Sequence, residues 1–436
     1  MKSLQSTSLT ATRLMALGLM TNPALAASFT VNLTGDQADS AVADGICDTD
    51  GNPGTGLQCT LRAAIQQTNA TSSADTINFA IPGVGIKTIL PTSALEITQP
   101  VTINGYTQPG AKPNTKKVGD DAIVLMQLAE TFAGNNGDGL SISDTGSNSV
   151  IRGLVINRFS NSGIRIKGNN NKVEGNFLGT DPTGTVDLGN GDFGGVLVNN
   201  GDANTIGGNS PADRNLISGN QVGVSLNVGS VGNKVQGNYI GTDKNGTAAL
   251  GNDRDGVEIV DASRSTIGGS VAEANIIAFN GLGGVVIKSF FADGDASGNR
   301  IQFNSIFANG TLGIDLGNDG QNSNDPKDPD AGENDLQNAP VITSAAFSGE
   351  GLTIKGKLNS TPRKAFLVEF FANPTGESEG KKFIGNKAVS TNANGNVSFT
   401  FVPSKAVFAD SVTATATNVV AANTSEFSLP RQMSTD

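Results

Sequence analysis

A twenty-residue pattern is written twice in this chain. Asn171-Lys-Val-Glu-Gly-Asn-Phe-Leu-Gly-Thr-Asp-Pro-Thr-Gly-Thr-Val-Asp-Leu-Gly-Asn190 returns as Asn233-Lys-Val-Gln-Gly-Asn-Tyr-Ile-Gly-Thr-Asp-Lys-Asn-Gly-Thr-Ala-Ala-Leu-Gly-Asn252. Between the copies, Asn204-Thr-Ile-Gly-Gly208 runs into Asn215-Leu-Ile-Ser-Gly-Asn220, and this element recurs as Ser265-Thr-Ile-Gly-Gly269 with Asn275-Ile-Ile-Ala-Phe-Asn280. The repeating unit is therefore a pair of coils. A unit this short cannot bury its apolar face alone and has to stack on copies of itself. The coils open at Asn148, Asn171, Asn204, Asn233, Ser265 and Asn299.

Each coil holds a strand of the form glycine, apolar, variable, apolar: Gly139-Leu-Ser-Ile, Gly163-Ile-Arg-Ile, Gly195-Val-Leu-Val, Gly223-Val-Ser-Leu, Gly256-Val-Glu-Ile, Gly284-Val-Val-Ile and Gly313-Ile-Asp-Leu. Alternation turns both apolar residues inward and the variable one outward. Stacking then predicts an outward column of Ser141, Arg165, Leu197, Ser225, Glu258, Val286 and Asp315, with neighbours about 4.8 Å apart. Asn171, Asn204, Asn233 and Asn299 fall at one corner of the coil, and Asn176, Asn238 and Asn304 at another. An inward asparagine at a bend can bond the backbone above and below it, which predicts ladders rather than ligand sites. The insertion Gly-Thr-Asp-x-x-Gly-Thr follows the first strand of like coils, so these loops gather on one side of the stack.

Charged residues make up only 16% of the chain and aromatics 5%, with 56 glycines. That leaves too few helix formers for a helical protein and suits short strands joined by turns. Residues 1–26 read as an export signal: Lys2 and Arg13, the short apolar core Leu14-Met-Ala-Leu-Gly-Leu-Met20, and the small-residue site Ala24-Leu-Ala26. The run is too short to span a bilayer, and no later run predicts a transmembrane helix. Losing Lys2 and Arg13 takes the formal charge from −11 to −13. Like charge then opposes nucleic acid and anionic lipid as partners.

Cys47 and Cys59 are the only cysteines. Export favours a disulfide between them, worth roughly 3 kcal/mol through loop closure. The helical spacing of Leu61, Ala64, Ile65 and Thr68 predicts a short helix that plugs the apolar end of the first coil, so residues 27–74 form a cap. The solenoid occupies 75–338. From Pro340 the grammar changes to strands about every ten residues, at 341–347, 352–358, 365–372, 383–389, 397–401 and 412–417, with a last one near Phe427. Residues 339–430 thus suit an immunoglobulin-like or fibronectin-like β-sandwich, with 431–436 as a tail.

Cys59-Thr-Leu-Arg-Ala-Ala-Ile65, with Asp75-Thr-Ile-Asn-Phe79, Val101-Thr-Ile-Asn-Gly-Tyr-Thr-Gln-Pro-Gly110 and Asp315-Leu-Gly-Asn-Asp-Gly320, resembles the exported bacterial proteins that carry a Cys-Ser-Leu-Arg-Glu-Ala segment ahead of β-helix repeats. Thr60 and Ala63 depart from that segment. The resemblance covers nearly the whole chain after the signal and implies a right-handed parallel β-helix and export. It brings no reaction with it.

The chain has no histidine. That removes Ser-His-Asp, Cys-His and zincin chemistry and leaves carboxylates, Arg and Lys, and calcium. Asp328, Asp330 and Asp335 around Gly332 resemble the start of a calcium loop, and Asp48, Asp50 and Asn52 form a shorter one. On the outward column, Glu258 and Asp315 stand two coils apart, about 9–10 Å, just outside the roughly 6.5–9.5 Å of an inverting glycosidase pair. Arg165 and Lys167 on one strand are the candidate groups for a lyase, with no acid beside them in the column. The expected function is an exported extracellular, cell-surface or periplasmic scaffold of adhesion type, contacting a polysaccharide or another surface partner. The alternative is a polysaccharide lyase or glycosidase. A groove flanked by the Thr-Asp loops with those four side chains converging would favour the enzyme.

Overall fold

The structure is a computed structural model that describes residues 25–42, 44–130, 137–291, 295–348, 351–407 and 409–435. The export signal expected at 1–26 lies outside the described residues except for Leu25 and Ala26.

Three parallel sheets wind into a β-helix. A long sheet of nine strands runs from Ser28–Val31 to Arg300–Gln302, a corner sheet of eight from Lys87–Ile89 to Ser305–Phe307, and a column sheet of eight from Leu95–Ile97 to Ile314–Leu316. Inward positions are almost all β-branched or leucine, stacked in register: Ile151, Val173, Ile206, Val235, Ile267 and Ile301 in the long sheet, and Ile156, Leu178, Ile217, Ile240, Ile277 and Ile306 in the corner sheet. Each packs on its own kind above and below, which suits stiff branched side chains on a pleated surface. No helix among the described residues is long and apolar enough to cross a membrane.

Asparagine ladders run down all three corners. At the first, Asn171 N–H donates to Asn204 Oδ1 at 2.8 Å and Asn204 N–H to Asn233 Oδ1 at 2.9 Å. This ladder starts at Ser149, one residue after the expected Asn148, which takes the left-handed turn at φ 65°. At the second, Asn176, Asn215, Asn238, Asn275 and Asn304 follow one another, so Asn215 and Asn275 fill the rungs between the asparagines read from the repeat. At the third, Asn190, Asn220, Asn252, Asn280 and Asn309 make a ladder that the repeat did not reveal. Each asparagine accepts from the rung before it, and all but Asn233 and Asn304 donate to the next, so the buried backbone at the bends is bonded by side chains.

Both ends of the solenoid are closed. At the start, the helix Leu61–Asn69 is capped by Thr60, whose Oγ1 accepts from Ala63 N–H at 3.1 Å, and it lays Leu61, Ala64 and Ile65 on the first coil. Cys47 and Cys59 form a disulfide beside it. At the other end sits a sandwich of two four-stranded sheets, antiparallel except where Ser434–Thr435 pairs in parallel with Val341–Ser348. Its interior is built on Ile354, Val368, Phe370, Phe399 and Val412. The last elements are not a free tail: Arg431–Gln432 and Ser434–Thr435 add an edge to each sheet, which leaves less strand edge unpaired. Phe427, expected on a strand, instead packs with Phe371 on the last coil of the β-helix, with ring centroids 5.3 Å apart.

The sandwich also completes the hydrogen bonds of that last coil, one group for each sheet. Ile301 N–H in the long sheet donates to Thr424 Oγ1 at 3.0 Å. Ile306 in the corner sheet exchanges backbone bonds with Gly380 at 2.8 and 3.0 Å. Leu316 N–H in the column sheet donates to Glu426 Oε1 at 3.0 Å. Glu379 ends the third ladder by accepting from Asn309 N–H and Nδ2, and Glu369 accepts from Phe303 N–H. Burial pushes Glu369 and Glu379 up to about 8 and Glu426 to about 7, and the hydrogen bonds they accept only partly offset it.

Two outcomes are expected. Asn220→Ala removes the acceptor for Asn190 and orphans donors in a buried corner, at about 1–3 kcal/mol for each orphaned group. The denaturation midpoint should fall, with the slope against denaturant unchanged. The buried glutamates also set a pH dependence. Their folded pKa values lie above the unfolded value of 4.5. The folded chain therefore keeps protons that the unfolded chain has lost, and stability is full below about pH 4.5 as far as these groups go. It falls as pH rises through the window up to about 8. The thermal midpoint should drop from pH 5 to pH 9, and Glu369→Gln with Glu379→Gln and Glu426→Gln should flatten that slope.

Candidate functional site

The outward column of the column sheet is in register as the repeat predicts. Ser141, Arg165, Leu197, Ser225, Glu258, Val286 and Asp315 pair rung to rung, with Glu96 one rung ahead of Ser141. The column is not an open surface, however. Leu197, Ser225, Glu258, Val286 and Asp315 are all buried. Side chains stacked at rung spacing cover one another, and the turn at Gly283 lies over Val286.

The four candidate catalytic residues do not converge. Arg165 and Glu258 are separated by Leu197 and Ser225, three rungs or about 14 Å. Arg165 is not without an acid: its Nη1 lies 3.7 Å from Asp138 Oδ2, supplied by the turn that enters the coil before. Lys167 is exposed, out past the strand end. Glu258 is held in a cluster with Ser225 from the column and two cations from outside it. Lys288 Nζ forms a buried ion pair with Glu258 Oε1, Arg254 Nη2 lies 3.5 Å from the same oxygen, and Ser225 Oγ donates to Oε2 at 3.3 Å. Asp315 is two rungs on, across Val286, and burial holds its carboxyl above the usual range against backbone N–H groups of Gly320, Asp319 and Asn318. Lys288, Arg254 and Asp138 each sit outside the glycine-apolar-variable-apolar frame, and only Lys288, two positions past Val286, carried a signal in the alternation.

The Thr-Asp loops do not flank this column. Thr180 and Thr242 are buried, and each loop closes as a small hairpin, Thr180 against Asp187 and Thr242 against Ala249. Despite some burial, hydrogen bonds from Thr183, Thr185 and Val186 hold Asp181 below the usual carboxylate range. Asp243 does the same work in the second loop with Thr247 and Ala248. The loop glycines Gly184 and Gly246 lie against Leu216 and Tyr239, so the loops cover the outer face of the corner sheet. Tyr239 is clamped there under the Arg214 guanidinium at 4.3 Å, while Arg214 donates to the carbonyls of Lys116, Lys117 and Gly119. Tyr239 is thus a packing residue.

Of the two calcium expectations, one brings two of its three carboxylates together. Asp325, Asp328 and Asp330 bring carboxylate oxygens within 4.8 Å of one another, and Asp325 was not among the residues read from sequence. Burial raises Asp328 to about 6, with the neighbouring acids adding to the shift, and its oxygens accept from Asn338 N–H, Gln337 Nε2 and Ser360 Oγ. Three carboxylates are fewer than the six to eight oxygens that a calcium ion takes. Asp335 stands apart, bonded to Asn423 Nδ2 at 2.6 Å. Asp48, Asp50 and Asn52 do not gather: Asp48 Oδ1 accepts from Gln58 N–H, Asp50 from Thr55 and Gln58, and Asn52 from Gly54 N–H. That loop is closed by its own hydrogen bonds. Phe290 and Phe291 are 72% and 60% exposed just past Lys288.

No protein-family model matches this chain, and no curated protein is similar to it by sequence. Among solved structures, it is similar to the full-length tailspike protein 2 of an Escherichia coli O157:H7 bacteriophage, at 12% identity and a TM-score of 0.28, over 83% of this chain and 58% of the tailspike. Pectate lyase Pel9A is 15% identical with a TM-score of 0.29, over 69% of this chain and 74% of the lyase. The Dettilon tailspike protein is 13% identical with a TM-score of 0.29, over 83% and 91%. At these values no activity carries across.

The Glu258 cluster yields a stability test. Lys288→Met leaves a buried carboxylate with only the Ser225 hydroxyl and the half-exposed Arg254, and the unfolding free energy should fall by about 3 kcal/mol. Adding Glu258→Gln should recover most of the loss in a double-mutant cycle. A single variant as stable as the parent would show that the pair is solvated.

Proposed function

We propose that this chain is a non-catalytic, exported binding scaffold that presents the side of a β-helix to an extended polymer, in the first place an acidic polysaccharide. The observation that carries the reading is the state of Glu258. A general acid or base needs a free path to the reacting proton, and a nucleophile needs an open lone pair. Glu258 has Lys288 and Arg254 on one oxygen and Ser225 on the other. Arg165 is paired to Asp138, and Lys167 stands alone in solvent. Rigid stacking and exposed outer rows suit binding along a length rather than chemistry at a point.

Incubation with uronic-acid and neutral polysaccharides, with and without calcium, should give retention of the protein on acidic polymers and no new unsaturated or reducing ends. Ends that form with the parent chain and vanish in Glu258→Gln would overturn the scaffold reading in favour of a lyase or glycosidase.

A further inference from the structure

The outer face of the long sheet has a different character from the column sheet. Its rungs place Lys172, Thr205, Lys234, Thr266 and Arg300 directly above one another. Cation and threonine alternate, so the cations recur every second rung, about 9.6 Å apart. Lys172 and Lys234 are exposed, and Thr205, Thr266 and Arg300 are half-buried. None of the three cations is in an ion pair among the described residues. Glu174, two positions along from Lys172, is already paired to Arg152 at 3.4 Å.

The row beside this one is low. Gly207 and Gly268 flank the threonines, Gln236 and Gln302 flank Lys234 and Arg300, and Glu174 flanks Lys172; the two glycines and two glutamines are buried. The Gln236 side chain is tied down to the Gly268 carbonyl at 2.8 Å. The result is a straight, shallow track with hydroxyls on stiff β-branched side chains and a regular line of cations outside any ion pair among the described residues, on a chain whose formal charge is −11. A row of like charges is held apart from its counter-charges at a cost that an anionic partner removes.

We propose that this track, Lys172–Thr205–Lys234–Thr266–Arg300, is the docking surface for an extended acidic polysaccharide lying along the solenoid axis; the assignment rests on the binding-scaffold reading above. The cations meet carboxylates or sulfates on the polymer, and the threonine hydroxyls between them meet its ring hydroxyls. Nucleic acid fits less well. Its phosphates repeat at about 3.4 Å along a strand, far denser than the cations, and single strands are held on aromatic platforms that this face lacks.

The test uses the full chain as exported, with polygalacturonate, neutral dextran and single-stranded DNA as probes in binding titrations at several salt concentrations. Polygalacturonate should bind with an affinity that falls as salt rises, and dextran should not bind. Combining Lys172→Gln, Lys234→Gln and Arg300→Gln should weaken binding by roughly tenfold or more and flatten the salt dependence, with the thermal midpoint unchanged. Thr205→Val with Thr266→Val should weaken it while leaving the salt dependence as it was. Binding that survives the triple substitution overturns this surface alone. Failure to bind polygalacturonate overturns both the surface and the scaffold reading. DNA bound as tightly as polygalacturonate would replace the polysaccharide track with a general polyanion surface.

Discussion

The asparagine ladder is the interaction on which the rest of this structure depends. A β-helix turns three times per coil, and every turn leaves backbone groups pointing into a dry interior. An asparagine has both a donor and an acceptor on one short side chain, so the same residue can close the rung above and the rung below. The ladders therefore repeat for as long as the coils do and hold the corners at one spacing. At Ser265 the first ladder loses an amide, and the serine Oγ is buried without a partner. The break is tolerated because the amides on either side are secured elsewhere, Asn233 Nδ2 to the Gly201 carbonyl and Asn299 Nδ2 to the Ala262 carbonyl.

A ladder has to end, and the ends decide how much of the chain folds as one unit. The last coil offers open N–H groups in all three sheets, and the sandwich answers each with a group from a different part of its own sequence. Glu379 does for Asn309 what another asparagine would do, but it brings a carboxylate into a buried site. Together with Phe371 and Phe427, these contacts make the sandwich a lid on the solenoid core rather than a module on a linker. The same lid hides a surface that would otherwise template stacking of one molecule on another.

Register was legible in the sequence because glycine, apolar, variable, apolar recurs at each coil and a slip of one residue would turn the core outward. The long-sheet and corner-sheet cores follow from the same alternation. What was not legible is which outward side chains stay open, since that depends on residues brought near by the winding. Asp138 reaches Arg165 across a coil, and Lys288 reaches Glu258 from the rung after it. The third ladder was present in the repeat, where Asn190 and Asn252 close the two copies, but an asparagine after a glycine reads as a turn. Glu369 carried a clearer signal: a lone acid among Phe366-Leu-Val-Glu-Phe-Phe371 has to face something unusual. It faces the end of another domain, which alternation within its own strand cannot reveal.

The two outer faces show how a fold with constant insides can still carry specificity. Both present one side chain per rung at the same spacing, and both include cations. On the column sheet the charges are met from within, by acids on neighbouring rungs and turns, and the result is a sealed, ion-paired surface. On the long sheet the residues between cations are threonines, and the next row is glycine or glutamine except for Glu174, which is paired to Arg152, so none of the three cations is in an ion pair among the described residues. The difference comes from side chains the ladder does not constrain. A partner recognised on the open face is recognised by rung spacing, which the asparagines maintain, and by the order of cation and hydroxyl along it, which the sequence is free to change without disturbing the core.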